Sequence, residues 1–97
     1  MMDEITRIVR LCFNPSDVNT FLGIFDKSAP LIRAFPGCLE VRLMRDHDVS
    51  HVYFTLSRWE NHGSLENYRK SVLFKETWAQ TKVLFSENAL AYSLKSY

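Results

Sequence analysis

The sequence has almost no excess of charge of either sign. Its 97 residues include 12 Lys and Arg and 11 Asp and Glu, which gives a formal net charge of +1. Such a chain creates no basic field that would gather phosphate groups, so nucleic acid is not an expected partner.

A long apolar run is also absent. Asp3 and Glu4 make the N-terminal segment acidic, and Arg7 and Arg10 interrupt the apolar stretch that follows. Neither a signal peptide nor a membrane span would tolerate this pattern. We therefore expect no membrane partner and a cytoplasmic location.

Cysteine is scarce, and the common catalytic fingerprints are missing. Cys12 and Cys38 belong to no CxxC or Cys/His spacing, so we interpret both as buried, reduced thiols. A disulfide between them is the alternative, which a cytoplasmic location disfavours. P-loop, GxGxxG and Ser/His/Asp patterns are absent, so an NTPase, a dinucleotide-binding protein and a hydrolase have no support.

The apolar content indicates one domain that spans residues 1–97. Apolar residues make up 46% of the chain, enough to bury a core. A domain this short hides only roughly 60 to 65% of its unfolded surface, so a second subunit would add stability that the monomer lacks.

Alternating apolar and polar residues predict four strands, at residues 5–13, 38–45, 51–59 and 89–95, with the middle two forming a hairpin. An apolar stripe with helical spacing runs from Val18 to Ile32 and predicts a helix, which Asn14 or Ser16 would cap and Pro30 would kink or end.

A second helical region follows the hairpin. Ser64 is the natural cap for its start, and Ser71 is a candidate cap for a second helical piece. The order of elements predicts an α+β, ferredoxin-like βαββαβ fold, in which a four-stranded antiparallel sheet carries its helices on one face.

The other face of that sheet decides whether the protein can exist alone. On it we place an apolar set mixed with Arg10 and Thr55, namely Ile8, Cys12, Met44, Tyr53 and Trp59. A face with two large aromatic rings is too apolar to stay in water, which favours a homodimer that packs sheet face against sheet face.

A group of His and Asp residues has spacing that zinc can use, namely Asp46, His47, Asp48 and His51. These residues lie in the hairpin connection, however, where Asp is expected for turn formation alone. We expect no metal site.

Three motifs occur in order along the chain: Pro36-Gly37-Cys38 at a strand start, Arg58-Trp59-Glu60 at a strand end, and a helical segment with Phe74 followed by Trp78. In order and spacing they resemble the antibiotic biosynthesis monooxygenase family. The resemblance covers essentially the whole chain and implies a dimeric α+β barrel with one pocket per subunit, between the sheet and the helices.

The resemblance also implies a chemistry without cofactors. Families of this type oxygenate aromatic or quinol substrates without metal or flavin, because an electron-rich substrate anion passes an electron to O2 itself. The protein then supplies a desolvated aromatic pocket, a proton acceptor and a group that stabilises the anion.

Two branches of the family place particular residues in the pocket. Trp59 matches the strand Trp of the quinone-forming branch, whose Asn four residues earlier falls here on the shorter Thr55. The haem-degrading branch carries an Asn, a Trp and an iron-ligating His where this chain has Val9, Tyr68 and Trp78. Tryptophan does not ligate iron, so haem degradation is not expected.

From these arguments Trp59 and Tyr68 are the candidate catalytic residues. The candidate substrate-binding residues are Arg7, Val9, Phe21, Phe25, Thr55, His62, Phe74 and Trp78. Arg7 would hold a substrate anion and His62 would act as an acid or base at the rim. The alternatives are ordinary core aromatics, an Arg that extends to water and a solvated loop His.

The leading hypothesis is therefore a cofactor-independent monooxygenase that acts on a small aromatic or quinol-like substrate. Its alternative is a non-enzymatic dimeric domain that binds a small apolar ligand. The ionisable groups of the pocket separate the two, since a pocket of only Phe, Leu and Trp favours the binding protein.

Overall fold

The elements follow one another in the predicted order. A computed structural model describes residues 3–97. Its strands and helices are β1 (Ile5–Cys12), α1 (Val18–Arg33), β2 (Cys38–Arg45), β3 (Val52–Trp59), α2 (His62–Arg69), α3 (Val72–Lys82) and β4 (Leu90–Leu94), with a short 3-10 turn at Pro15–Asp17 before α1. The second helical region is thus two helices.

Side-chain caps set where the later helices begin. The Ser71 hydroxyl accepts a hydrogen bond from the Phe74 backbone N–H at 3.1 Å, as its position before α3 predicts. For α2 the cap is Asn61 rather than Ser64: the Asn61 side chain accepts from the Ser64 N–H at 2.9 Å. Pro30 does not end α1, which continues past it.

The strands form one antiparallel sheet in the order β2-β3-β1-β4. With the helices packed against it, this is the ferredoxin-like α+β fold that the pattern predicted. Two clusters of buried side chains form the core: Ile5, Ile32, Val41, Trp59 and Leu65 in one, and Leu11, Phe13, Phe21 and Tyr53 in the other. No helix within residues 3–97 is long and apolar enough to cross a membrane.

The strand register corrects the prediction for three residues of β3. The cross-strand pairs are Leu11 with Tyr53, Val9 with Thr55, and Ile5 with Trp59. Paired residues point to the same face of a sheet, so Tyr53, Thr55 and Trp59 face the helices and not the outer side. The prediction was wrong because Val52, Tyr53 and Phe54 are all apolar, and alternation alone does not fix which of them points inward.

The outer face is nevertheless apolar. Ile8 lies between Leu56 and Tyr92 in one cross-strand row, and Arg10 lies between Phe54 and Leu90 in the next. Tyr92 is 52% exposed. Ile8, Arg10 and Met44 therefore lie on the predicted face, but the aromatic rings there are those of Phe54 and Tyr92.

Candidate active site

A cavity of about 310 Å³ lies between the sheet and the helices. All four strands and all three helices contribute to its walls. It forms because Ala89, Ala91, Thr55 and Ser57 are small, so that the sheet does not fill the space under the helices.

Aromatic rings form one end of this cavity. The rings of Phe74 and Trp78 lie parallel, with centroids 5.9 Å apart, because residues four apart share one face of α3. Phe21 and Phe25 face them from α1, with centroids 6.3 Å apart. An apolar ring placed here would be surrounded by other rings.

Arg7 lies at the other end. It occupies a cross-strand row with Ser57 on one side and Ser93 on the other. One guanidinium nitrogen donates a hydrogen bond to the Ser93 hydroxyl at 2.9 Å. Burial lowers the pKa of Arg7 from its usual value, and the neighbouring charge of Arg69 lowers it further, whereas Glu66 opposes both.

Arg69 brings a second guanidinium to the cavity wall. It donates a hydrogen bond to Glu66 at 3.1 Å, and its side chain is 42% exposed. That bond holds the pKa of Glu66 below its usual value. Arg69 is partly exposed, so the guanidinium end of the cavity reaches solvent.

Tyr68 closes the wall between the two ends. Burial raises the pKa of its phenol to about 12, with a smaller contribution from Cys38. The phenol is therefore neutral at physiological pH and can donate a hydrogen bond to a negative charge. A neutral phenol of this kind does not act as a base.

Trp59 lies behind this wall and not in it. The residue is completely buried, its ring stacks on Tyr68 with centroids 4.9 Å apart, and its Nε1 donates a hydrogen bond to the Ser57 hydroxyl at 3.0 Å. In this conformation Trp59 does not line the cavity itself, and it contacts wall residues such as Tyr68 and Ser57. Whether it contributes to catalysis stays a prediction.

Most of the predicted site residues come together on this cavity: Arg7, Val9, Phe21, Phe25, Thr55, Tyr68, Phe74 and Trp78 all line it. Trp59 and His62 do not. His62 is the first residue of α2 and is exposed, which places it in the solvated position that was the alternative interpretation.

Sequence reasoning missed several polar residues of the wall, and Arg69 is the most important of them. Its position next to Tyr68 on a helix was the available signal, but a charge on an amphipathic helix is ordinarily solvated. Ser57 was detectable as the residue two places from Thr55 on the same strand face. Ser28 and Thr81 were missed as well, and both bond to helix carbonyls.

The ionisable groups of the wall are two guanidiniums and one neutral phenol. No carboxylate or imidazole from residues 3–97 lines the cavity. A guanidinium has donors and no acceptor. The site can therefore stabilise negative charge on a bound molecule, whereas a proton that leaves that molecule must pass to water.

Comparison with known proteins decides the family. The model of the antibiotic biosynthesis monooxygenase family matches residues 5–80. This chain belongs to the antibiotic biosynthesis monooxygenase family. None of the curated proteins matches it.

Solved structures of antibiotic biosynthesis monooxygenases and related proteins share the fold. A conserved protein from Methanosarcina mazei superimposes with a TM-score of 0.95 at 17% identity, over 99% of this chain and 95% of that one. A Caulobacter crescentus protein provisionally assigned to the same family superimposes with a TM-score of 0.92 at 21% identity. The match covers 99% of this chain and 92% of that one. A mutant of SnoaB from Streptomyces nogalater, described as a cofactor-independent oxygenase, superimposes with a TM-score of 0.87 at 18% identity. The match covers 97% of this chain and 93% of that one.

Proposed function

We propose that this protein is a cofactor-independent monooxygenase that oxygenates a small aromatic or quinol-like substrate inside the cavity. The observation that carries the proposal is an aromatic cavity whose charged wall groups, among the described residues, are both cationic. Membership of the family and the likeness to SnoaB support it.

The reaction requires a substrate anion. Once the substrate has lost a proton, the anion passes one electron to O2, and the resulting substrate radical and superoxide combine to form a carbon–oxygen bond. Loss of water from that peroxide leaves a carbonyl group, so that a ring CH2 and O2 give C=O and H2O. The protein assists by stabilising the anion and by excluding water from the reacting carbon.

Each wall group has a task in this scheme. Arg7 and Arg69 hold an anionic group of the substrate at their end of the cavity, because opposite charges attract. Tyr68 and Thr55 donate hydrogen bonds to negative charge on the substrate. Trp59 acts from behind, by fixing the positions of Tyr68 and Ser57.

The alternative function is a non-enzymatic small-ligand-binding domain. It is favoured by the absence of any proton acceptor among the described wall residues and by Thr55, which stands where the quinone-forming branch carries an Asn. Binding without O2 consumption is the behaviour that this alternative predicts.

We also propose that the protein is a homodimer through its outer sheet face. Leu56, Ile8 and Tyr92 form an apolar row across three strands of that face, and Phe54 and Leu90 extend the apolar area. Packing this face against its own copy gives a self-complementary, two-fold contact. The helices lie on the opposite side, so each subunit would keep its own cavity.

Oxygen consumption by chelator-treated protein tests the proposed oxygenase activity. A panel of quinols and anthrones is supplied to the wild type, to Thr55→Val and Thr55→Asn, and to Thr20→Val on the exposed side of α1 as a control. Thr55→Val should lower kcat/KM roughly tenfold, the effect of one hydrogen bond to a charged group, whereas Thr55→Asn should retain activity.

The control variant should match the wild type. Consumption that requires added metal or flavin contradicts the proposal. Tight binding of panel compounds without any oxygen consumption identifies the protein as the binding domain instead.

A further inference from the structure

The guanidinium end of the cavity has an unbalanced positive charge. Within residues 3–97 no carboxylate oxygen lies within 4.0 Å of an Arg7 nitrogen. Arg69 is paired with Glu66, but the approach of Arg69 still lowers the pKa of Arg7. This end of the cavity therefore contains two like charges whose repulsion a bound anion would relieve.

Arg7 is also oriented, as a binding residue needs to be. Its backbone is held in the centre of the sheet between β3 and β4, and Ser93 fixes one nitrogen of its guanidinium group through the 2.9 Å hydrogen bond. A guanidinium has five N–H donors in a planar fork, so the remaining donors are available to a ligand.

Ser57 adds a neutral donor to this end. Its Oγ already accepts the hydrogen bond from Trp59 Nε1 at 3.0 Å, and its place opposite Arg7 in the sheet brings it to the cavity wall. With one lone pair occupied by the indole, the hydroxyl proton is free to point toward an acceptor on a ligand.

We propose that Arg7 and Arg69, with Ser57, form a carboxylate-binding site at the guanidinium end of the cavity, so that the molecule this protein takes is an aromatic carboxylic acid. A carboxylate matches the planar fork of a guanidinium with two parallel hydrogen bonds, which a single phenolate oxygen does not. The ring would then lie among Phe74, Trp78 and Phe21 at the aromatic end.

The size of the cavity limits that molecule. At about 310 Å³ it stands near the lower end of the range for small-molecule pockets, roughly 300 to 1,000 Å³. An acid with one or two fused rings fits this space. This inference rests on the proposed function only in calling the acid a substrate, since the binding site itself needs no reaction.

Equilibrium binding of a matched pair of probes tests the site. The carboxylate 1-naphthoate and its neutral counterpart 1-naphthamide are titrated by calorimetry at neutral pH, without any turnover. The wild type should bind the carboxylate at least tenfold more tightly than the amide. Arg7→Met should abolish that preference, Arg69→Met should weaken it, and Arg7→Lys should keep part of it.

Lys75→Met, which removes one exposed positive charge from α3, is the control and should leave the preference unchanged. Arg69 is partly exposed, so its variant remains informative even if Arg7→Met fails to fold. Equal affinity for the two probes, binding of neither probe, or a preference that survives loss of both guanidiniums overturns the proposal. No oxygenation is measured in this binding experiment, so a failed oxygenase assay does not change its interpretation.

Discussion

The ring of Tyr68 stacks on that of Trp59, with centroids 4.9 Å apart and an angle of 23° between the planes. Trp59 is completely buried, while Tyr68 forms part of the cavity wall. Trp59, which belongs to one of the three motifs that resemble the family, therefore lies behind the cavity wall. It supports the Tyr68 ring and, through Nε1, the Ser57 hydroxyl.

The two tryptophans should differ in what they contribute to stability. Trp59→Ala removes a completely buried ring and should cost about 3 to 5 kcal/mol, as large-to-small core substitutions do. Trp78 lines the cavity and is only partly buried, so it has fewer neighbours to lose and Trp78→Ala should cost about 1 to 2 kcal/mol. Denaturant unfolding measures both. Equal losses would show that Trp78 is an ordinary core residue and that the cavity is filled in solution.

The phenol of Tyr68 should make stability depend on pH in the alkaline range. Its pKa is about 12 in the folded protein against 10.0 ordinarily, so between these values the folded state keeps a proton that the unfolded state loses. The contribution of the Tyr68 phenol to the free energy of unfolding is therefore fully present below pH 10 and is lost as the pH rises toward 12.

Compared with Tyr68→Phe, the wild type should lose about 1 kcal/mol of its free energy of unfolding by pH 11. Denaturant unfolding of both proteins at a series of pH values gives the difference, and every pH effect that the two proteins share cancels. A constant difference across this range would mean that the Tyr68 phenol is not desolvated.

Substitution by alanine should change the stability of the protein in opposite directions at two glycines. Gly37 has a φ of 86°, and an added Cβ would overlap the side chain of Ser64 on α2. Gly37→Ala should therefore destabilise by more than about 1 kcal/mol. Gly23 lies inside α1, where an added Cβ would meet nothing within 4 Å, so Gly23→Ala should stabilise by about 0.5 to 1 kcal/mol. Urea unfolding measures both, and a neutral Gly37→Ala would contradict the close approach of Gly37 to α2.

Charged substitutions on the outer sheet face should dissociate the proposed dimer into monomers. Leu56→Arg and Tyr92→Asp each place a charge in the apolar row, while Val83→Asp changes a residue that is 73% exposed at the end of α3. Sedimentation at micromolar concentration should give twice the monomer mass for the wild type and for Val83→Asp, and monomer mass for the other two. A wild type that sediments as a monomer would contradict the proposal.

The order of the elements was predictable from the sequence, but the side chains of β3 that point toward the helices were not. Strand and helix patterns, together with caps such as Ser71, are local and can be detected in one chain. The direction in which Tyr53 and Trp59 point depends on the register with β1, a long-range pairing that is not encoded locally where both faces are apolar.

The aromatic wall was predictable because its pattern is local. Phe74 and Trp78 repeat at helical spacing, so their convergence with Phe21 follows from the order of the elements. Arg69 was not predictable, because only the folded structure shows that this helical charge lines the same cavity as Arg7.

Incorporation of oxygen-18 from labelled O2 tests the central claim most directly. Metal-free protein is incubated with a quinol or anthrone that it oxidises, and the molecular mass of the product is measured by mass spectrometry. Cofactor-independent oxygenation should leave one labelled oxygen atom in the carbonyl product and release the second as labelled water. A product without label, or no oxidation of any compound above the protein-free rate, would contradict it.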